Sequence, residues 1–240
     1  MGRLAWFVVM LAVLFVSCVG VWRHCESLAS SIQCTNALRK IMLALDSYHQ
    51  LHGGFPPAQL CDAKGTPVNS WRTLVIPYFW YNFTPGRDDY AGPKWYDYAE
   101  PWNGPSNIAW ELDRTRCEYF QCRANDHRKP AITDYVAVVG PNTMWPGTEG
   151  TTRAADGSDD DKILVIEIVN SDILWMEPRD LTLEEALDAI QPKKSVGIGS
   201  YHRDGIHYIT VGGEMRTLPH DIDRESLRRL LVREPKPEER

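Results

Sequence analysis

Between Leu4 and Trp22 the chain carries no charge, and no acidic residue occurs before Glu26. No two of its six cysteines have CxxC spacing. That argues against a zinc-finger or thioredoxin-type site. The sequence also lacks G-x-S-x-G, H-E-x-x-H, a Walker A loop and G-x-G-x-x-G, and its Gly197-x-Gly199 pair has no third glycine. The common hydrolase, metalloprotease, nucleotide and dinucleotide signatures are therefore absent, and no catalytic, cofactor or metal residues are assigned from motifs. There is no basic surplus either. Across 240 residues, 26 basic side chains face 32 acidic ones, which argues against a nucleic-acid partner. At 43% hydrophobic and 24% charged, the chain is neither collagen-like, wholly disordered nor a polytopic membrane protein. What it has in abundance is aromatics, with nine Trp and ten Tyr.

The uncharged stretch from Leu4 to Trp22 is 19 residues long, flanked by Arg3 and Arg23. As a helix it would extend roughly 28 Å, close to the hydrocarbon thickness of a bilayer. Trp6 and Trp22 sit near its ends, where interfacial indoles are favoured. A single-pass anchor in the cytoplasmic membrane is expected, N-terminus inside and the remainder in the periplasm or outside. The alternatives are a cleaved signal peptide, although no A-x-A site is present, and lipidation of Cys18. Removing the first 22 residues takes away one base and no acid, leaving the remainder at −7 against −6 for the whole chain. An apolar anchor is thus joined to an acidic, aromatic-rich domain. On that side of the membrane the four cysteines from Cys34 onward can pair as disulfides or stay as buried thiols.

No Gly or Pro occurs from Glu26 to Gln50. Apolar residues recur at Leu28, Ile32, Leu38, Ile41, Leu45 and Tyr48, with Thr35 on the same stripe, which predicts an amphipathic continuation of the membrane helix. Gly53-Gly54 and Pro56-Pro57 should end it. The expected organisation is an anchor over 1–23, the continuing helix over 24–52, a globular α+β domain over 53–232 and a charged tail over 233–240. Ser70 to Pro77 is apolar but of ambiguous type. Tyr81 to Asn107 is turn chemistry, expected as a long loop pinned by Trp95 and Trp102. Strands are predicted at Tyr135–Val139, at Ile163–Val169 and at Ile173–Met176. A hairpin is predicted with Ile206–Val211 and Glu214–Leu218 around Gly212-Gly213. Thr182-x-x-Glu185 reads as a capping box, and Asp223 as the cap of a last helix carrying Leu227, Leu230 and Leu231.

A few polar groups stand out against this background. His202, Asp204 and His207 could bind a metal or move protons, but Asp204-Gly205 is a turn, so a polar turn before a strand is the simpler reading. A hydrolase using these residues requires them to meet Glu167 or another acid in one cleft. Asp156, Asp159, Asp160 and Asp161 could hold Ca²⁺, yet EF-hand spacing fails and a solvated acidic loop is simpler. Glu167 interrupts a run of Ile and Val. It is expected to be ion-paired, with Arg72, Arg179 or Arg216 as partner. Asn82-Phe83-Thr84 matches the glycosylation triplet.

A series of segments resembles a known family. Cys34-Thr-Asn-Ala-Leu-Arg-Lys-Ile, Ala44-Leu-Asp-Ser-Tyr-His49 and Gly54-Phe-Pro-Pro-Ala58 open it, followed by Ser70-Trp71-Arg72, Glu100-Pro101-Trp102 and Phe120-Gln-Cys122. Thr133 to Pro141, Trp175-x-Glu-Pro178-Arg-Asp180-Leu and the His202 hairpin complete it. Together they are similar to the planctomycete pilin-like proteins classed as domain of unknown function 1559. That resemblance implies a pilin-like α+β fold, in which a long N-terminal helix, half in the membrane, packs on an antiparallel sheet as in type II secretion pseudopilins. It also implies that Cys34 and Cys122 are bridged, with Cys61 and Cys117 as the leftover pair, and it supplies no catalytic residues. The chain lacks the prepilin G-F-T-L-x-E signal, so an anchored domain is expected rather than a filament subunit. The expected function is a non-enzymatic, membrane-anchored structural or assembly protein of the envelope, partnered by itself or by envelope components. The rival is an extracytoplasmic binding module, for calcium or for polysaccharide stacked on Trp95, Trp102 and Trp145.

Overall fold

The computed structural model describes residues 2–79, 96–111, 118–125, 131–154 and 157–234. Helix α1 runs unbroken from Gly2 to His52, 51 residues and about 77 Å at 1.5 Å per residue. It ends where glycine permits it. Gly53 takes φ +75, and its N–H closes the last turn on the His49 carbonyl.

Two parts of α1 live in different surroundings. No described side chain before Cys34 is buried, and Trp6, Phe7, Phe15, Val16 and Trp22 are each more than 60% exposed. From Cys34 on, a stripe of Cys34, Leu38, Ile41 and Leu45 is completely buried. Leu28 and Ile32 do not belong to this stripe and are exposed. At 100° per residue Ile32 points about 120° away from Leu38, and Cys34 occupies the buried face instead. Thr35 is half-buried.

The sheet that receives α1 has strand order β3-β5-β8-β9, with β7 off this path and paired to the end of β5 at Ile168–Val169. These strands are β3 Tyr135–Val136, β5 Ile163–Val169, β7 Gly197–Ile198, β8 Ile206–Thr210 and β9 Met215–Leu218, all antiparallel. An irregularity between Ile163 and Val165 leaves Leu164 as an extra residue in β5. Its carbonyl accepts the Trp145 indole N–H at 2.6 Å. This bulge lets Ile163 and Ile166 share one face. Val165 turns with Ile209, Val211 and Tyr135 toward the core beneath α1. Val165 and Glu167 are two apart beyond the bulge, so Glu167 shares the α1 side. The opposite face, with Ile163, Ile166, Ile168, Ile206 and Tyr208, is covered by helices α4 (Leu183–Asp188) and α5 (Arg224–Leu231). Both helices begin as read from sequence, α4 with the Thr182/Glu185 capping box and α5 with Asp223 as N-cap. The β8–β9 hairpin forms around Gly212-Gly213, with Gly213 at φ +87.

Two strand expectations change, and one ambiguous segment takes a definite form. The Tyr135–Val139 strand is split. Tyr135–Val136 joins the main sheet, while β4 (Val138–Val139) pairs in parallel with β6 (Leu181–Thr182). Between them the Ala137 N–H leaves the ladder and donates to Asp180 Oδ1 at 2.9 Å. Ile173–Met176 is not a strand and makes a single bridge, Ile132 to Leu174. The carbonyls of Trp175, Glu177 and Arg179 are turned onto the Arg72 guanidinium instead of a neighbouring strand. The ambiguous Ser70–Pro77 segment follows a short hairpin of β1 (Gln59–Cys61) and β2 (Pro67–Ser70). It is helical, α2 Trp71–Val75 running into a 3-10 turn at Ile76–Phe79, capped by the Ser70 hydroxyl.

Most residues of the family-like series pack in the core. Trp71 sits edge-on to Phe120 and against Trp145, and Phe120 stacks on Trp175. Arg72 is buried and paired with Asp180. Trp102 and Pro178 are half-buried, and Pro101 is exposed in the turn leading to α3 (Pro105–Glu111).

Candidate functional site

The polar residues that meet do so at the interface of α1 and the sheet. Cys34 comes from the first buried turn of α1. Cys122 follows the 3-10 turn Glu118–Phe120, held by its own N–H donating to Asp134 Oδ2 at 2.7 Å. Glu167 projects from β5 and His207 from β8, while His202 lies in the loop before β8. Cys34, Cys122 and Glu167 are 0% exposed and His202 3%.

Cys34 Sγ and Cys122 Sγ are 3.0 Å apart, in hydrogen-bond contact as free thiols. The juxtaposition implied by the family resemblance is present, but the disulfide is not. Cys61 is likewise free, and Cys117 lies outside the described residues. Cys122 Sγ is 3.1 Å from His202 Nε2, which in turn lies 3.7 Å from Glu167 Oε1. Glu167 Oε2 accepts the His207 backbone N–H at 3.3 Å and lies 3.6 Å from His207 Nδ1. The two imidazoles are 4.6 Å apart. An outer link closes the cluster toward the surface, where the Ser31 hydroxyl donates to Asp204 Oδ2 at 2.7 Å and His207 Nε2 lies 3.3 Å from the same oxygen.

The electrostatics follow from burial and close approach. The hydrogen bond from Cys122 holds the Cys34 thiol down to about 4 against the opposing effect of burial, with His202 helping. Cys122 is pushed up by the same contact and by burial, the opposite direction to Cys34. Burial raises Glu167 to about 7, and the His202 charge pulls the other way. For His202, burial pulls down, but the hydrogen bond to Cys34 and the charges of Glu167 and Cys34 outweigh it and the net shift is upward. Burial and the His202 charge lower His207. The Tyr135 phenol beside the cluster is pushed far up by burial, then by Cys122, Glu167 and Cys34. Burial and close approach thus oppose ionisation of Cys122, Glu167 and Tyr135 together. Glu167 Oε1, His202 Nδ1 and His207 Nδ1 are buried with no hydrogen-bond partner.

None of the arginines considered for Glu167 reaches it. Arg72 binds Asp180, Arg179 binds Asp172 and Glu177, and Arg216 binds Glu214. The carboxylate faces two histidines. His202, Asp204 and His207 do converge with Glu167, as a hydrolase would require, but His202 and Glu167 are sealed beneath α1 with side chains 1% exposed. The acidic loop does not gather its carboxylates, since Asp159 turns inward to Arg233 at 2.8 Å while Asp160 and Asp161 face out. Asp156 lies outside the described residues, as do Trp95 and Asn82-Phe83-Thr84. Trp145 is 1% exposed and cannot stack on a sugar, and Trp102 is half-buried. The absence of a CxxC pair argued against a metal site, yet Cys34, Cys122, Glu167 and His202 bring their ligand atoms within 4.8 Å of one another. The signal that hinted at this centre was the lone carboxylate in an Ile/Val strand.

The fold and this centre define an α+β domain built on one long apolar helix. The chain matches the family described as a protein of unknown function (DUF1559) over residues 29–163, and it belongs to that family. The match includes Cys34 and Cys122, while Glu167 and His202 lie beyond it. No curated protein and no solved structure matches the chain.

Proposed function

We propose that this protein is a membrane-anchored structural component of the cell envelope, packed in the manner of a pseudopilin, with its globular domain outside the cytoplasm. The observation that carries the reading is the division of α1. One continuous helix exposes apolar side chains along its first thirty residues and buries a full stripe in the domain from Cys34 on. Among the described residues it is the helix long and apolar enough to cross a bilayer. In water such an exposed surface far exceeds what a soluble monomer carries, so a lipid or protein environment must cover it. A helix shared between anchor and core transmits force to the sheet without a hinge, which suits an assembly or scaffolding role. Burial of the His202–Glu167 cluster supports a non-catalytic role, because a substrate has no direct access to it.

Fractionation tests this. The full chain should stay with membranes through alkaline carbonate washing, and deletion of residues 2–22 should release it. In spheroplasts, added protease should degrade the domain, and crosslinking should capture copies of the chain or envelope proteins. A mature N-terminus beyond Trp22, or release of the full chain by carbonate, would refute the anchoring.

A further inference from the structure

We propose that Cys34, Cys122, Glu167 and His202 form a four-ligand site for a thiophilic divalent cation, zinc being the expected occupant, which fastens α1 to the sheet. The inference stands on the geometry of the centre and does not depend on membrane anchoring.

The ligand set suits the ion. Tetrahedral zinc takes sulfur at about 2.3 Å and nitrogen or oxygen at about 2.0–2.2 Å, so ligand atoms lie roughly 3.3–3.8 Å apart. Here Sγ–Sγ is 3.0 Å, Cys122 Sγ to His202 Nε2 is 3.1 Å and His202 Nε2 to Glu167 Oε1 is 3.7 Å, with every pair inside 4.8 Å. Side-chain shifts of less than about 1 Å would close the tetrahedron. One cation would satisfy both sulfurs, His202 Nε2 and the partnerless Glu167 Oε1 together. A disulfide between the cysteines would use only the sulfurs and leave the buried Glu167 Oε1 without a hydrogen bond, which is costly.

Two contacts of the surrounding shell fit as well, while His202 Nδ1 has no hydrogen-bond partner. The Arg123 N–H already donates to Cys34 Sγ at 3.0 Å, a bond that stabilises a metal thiolate. The second oxygen of Glu167 is held by the His207 N–H, which orients the first one inward. Two thiolates, a carboxylate and a neutral imidazole around a divalent ion leave one net negative charge, as in the common Cys₃His zinc sites. Binding is balanced by proton release to solvent, from the two cysteines, Glu167 and His202 wherever each carries a proton that the bound state does not.

The test uses the full chain in detergent, purified in parallel with and without a thiol-alkylating agent present from lysis. Elemental analysis should find one zinc per chain. After chelation, added Co²⁺ should give thiolate-to-cobalt charge-transfer bands and the strong visible absorption of a tetrahedral site. Glu167→Gln and His202→Gln should each weaken cobalt binding by at least about 10–100-fold, the range seen for loss of a mere outer-shell partner. Cys34→Ser should abolish the charge-transfer bands or shift them. Should a variant fail to fold, chelation and reloading of the wild-type chain decides alone. Three results would overturn the proposal: substoichiometric metal with no cobalt spectrum from reduced wild-type protein; recovery of Cys34 and Cys122 as a disulfide-linked peptide pair, two hydrogens lighter, from the alkylated preparation; and unchanged affinity in the Glu167 and His202 variants, which would remove them from the site.

Discussion

The buried Arg72–Asp180 pair should be the most expensive side-chain contact in the domain to break. Arg72 is 0% exposed, and its guanidinium has four acceptor bonds: Asp180 Oδ1 at 2.6 Å and the carbonyls of Trp175, Glu177 and Arg179 at 2.7–2.9 Å. Asp180 Oδ1 also accepts the Trp71 indole at 3.2 Å and the Ala137 N–H at 2.9 Å. Replacing Arg72 by Met keeps the volume but strands three carbonyls and a buried carboxylate. Loss of one partner of a buried pair costs about 3–5 kcal/mol. At about 2–4 °C per kcal/mol for a domain of this size, the melting temperature should fall by roughly 6–20 °C. Arg72→Lys should recover little of this, since an ammonium cannot reach acceptors arranged for a planar fork. Burial pushes the Asp180 carboxyl above its ordinary range, and the Arg72 charge and hydrogen bond pull it back. Without Arg72 the upward shift grows, so the folded state holds its proton more tightly than the unfolded state. The penalty is then full above the folded pKa and shrinks as pH falls through it. Melts of the detergent-solubilised chain, followed by near-ultraviolet circular dichroism at neutral and mildly acidic pH, provide the assay. A loss below about 1 kcal/mol for Arg72→Met, the size typical of a surface pair, would refute the reasoning.

Two further substitutions probe the frame around the centre. Gly205 has φ +126, and a Cβ there would lie on top of the Leu218 carbonyl oxygen and the Thr217 methyl. Gly205→Ala should therefore open the end of the β8–β9 pairing, seen as faster amide exchange at Ile206 and Leu218 and as a lowered melting temperature. Thr182→Ala removes one half of the capping box at α4 and should cost about 1 kcal/mol. A thermal melt indistinguishable from wild type would mean that the packing of Leu183 and Leu187 holds that helix unaided.

What could be read from the sequence was local chemistry. The end of α1 needs only Gly53, the start of α4 only Thr182 and Glu185, and the hairpin only the glycines between two apolar runs. The stripe on α1 was harder. An apolar helix that runs on beyond its domain carries apolar residues on sides that meet no core, so Leu28 and Ile32 look like core and are not. The broken strands at Val136 and Ile173 were hidden because a side chain far along the sequence takes the backbone groups that a ladder would have used. Arg72 and Asp180 stand 108 residues apart.

The centre was hidden for a related reason. Metal motifs are legible when neighbouring ligands share one turn or one hairpin, since spacing then encodes geometry. Here Cys34 and Cys122 are 88 residues apart, and Cys122 and His202 are 80. Each ligand rides on a different element, so distance is set by how α1 lies on the sheet. Glu167 was visible as an anomaly, but β5 is buried along its whole length and both its faces are apolar. Such a strand does not reveal which face a lone carboxylate takes. The bulge at Leu164 and the inward turn of Val165 put Glu167 on the α1 side, opposite Cys34. On the other face it would have met the apolar side chains of Leu183, Leu227 and Leu231, which cannot compensate its charge. The arrangement of helix and sheet and the polar centre are therefore coupled. A carboxylate buried there is tolerable only with α1 docked so that Cys34, Cys122 and His202 surround it.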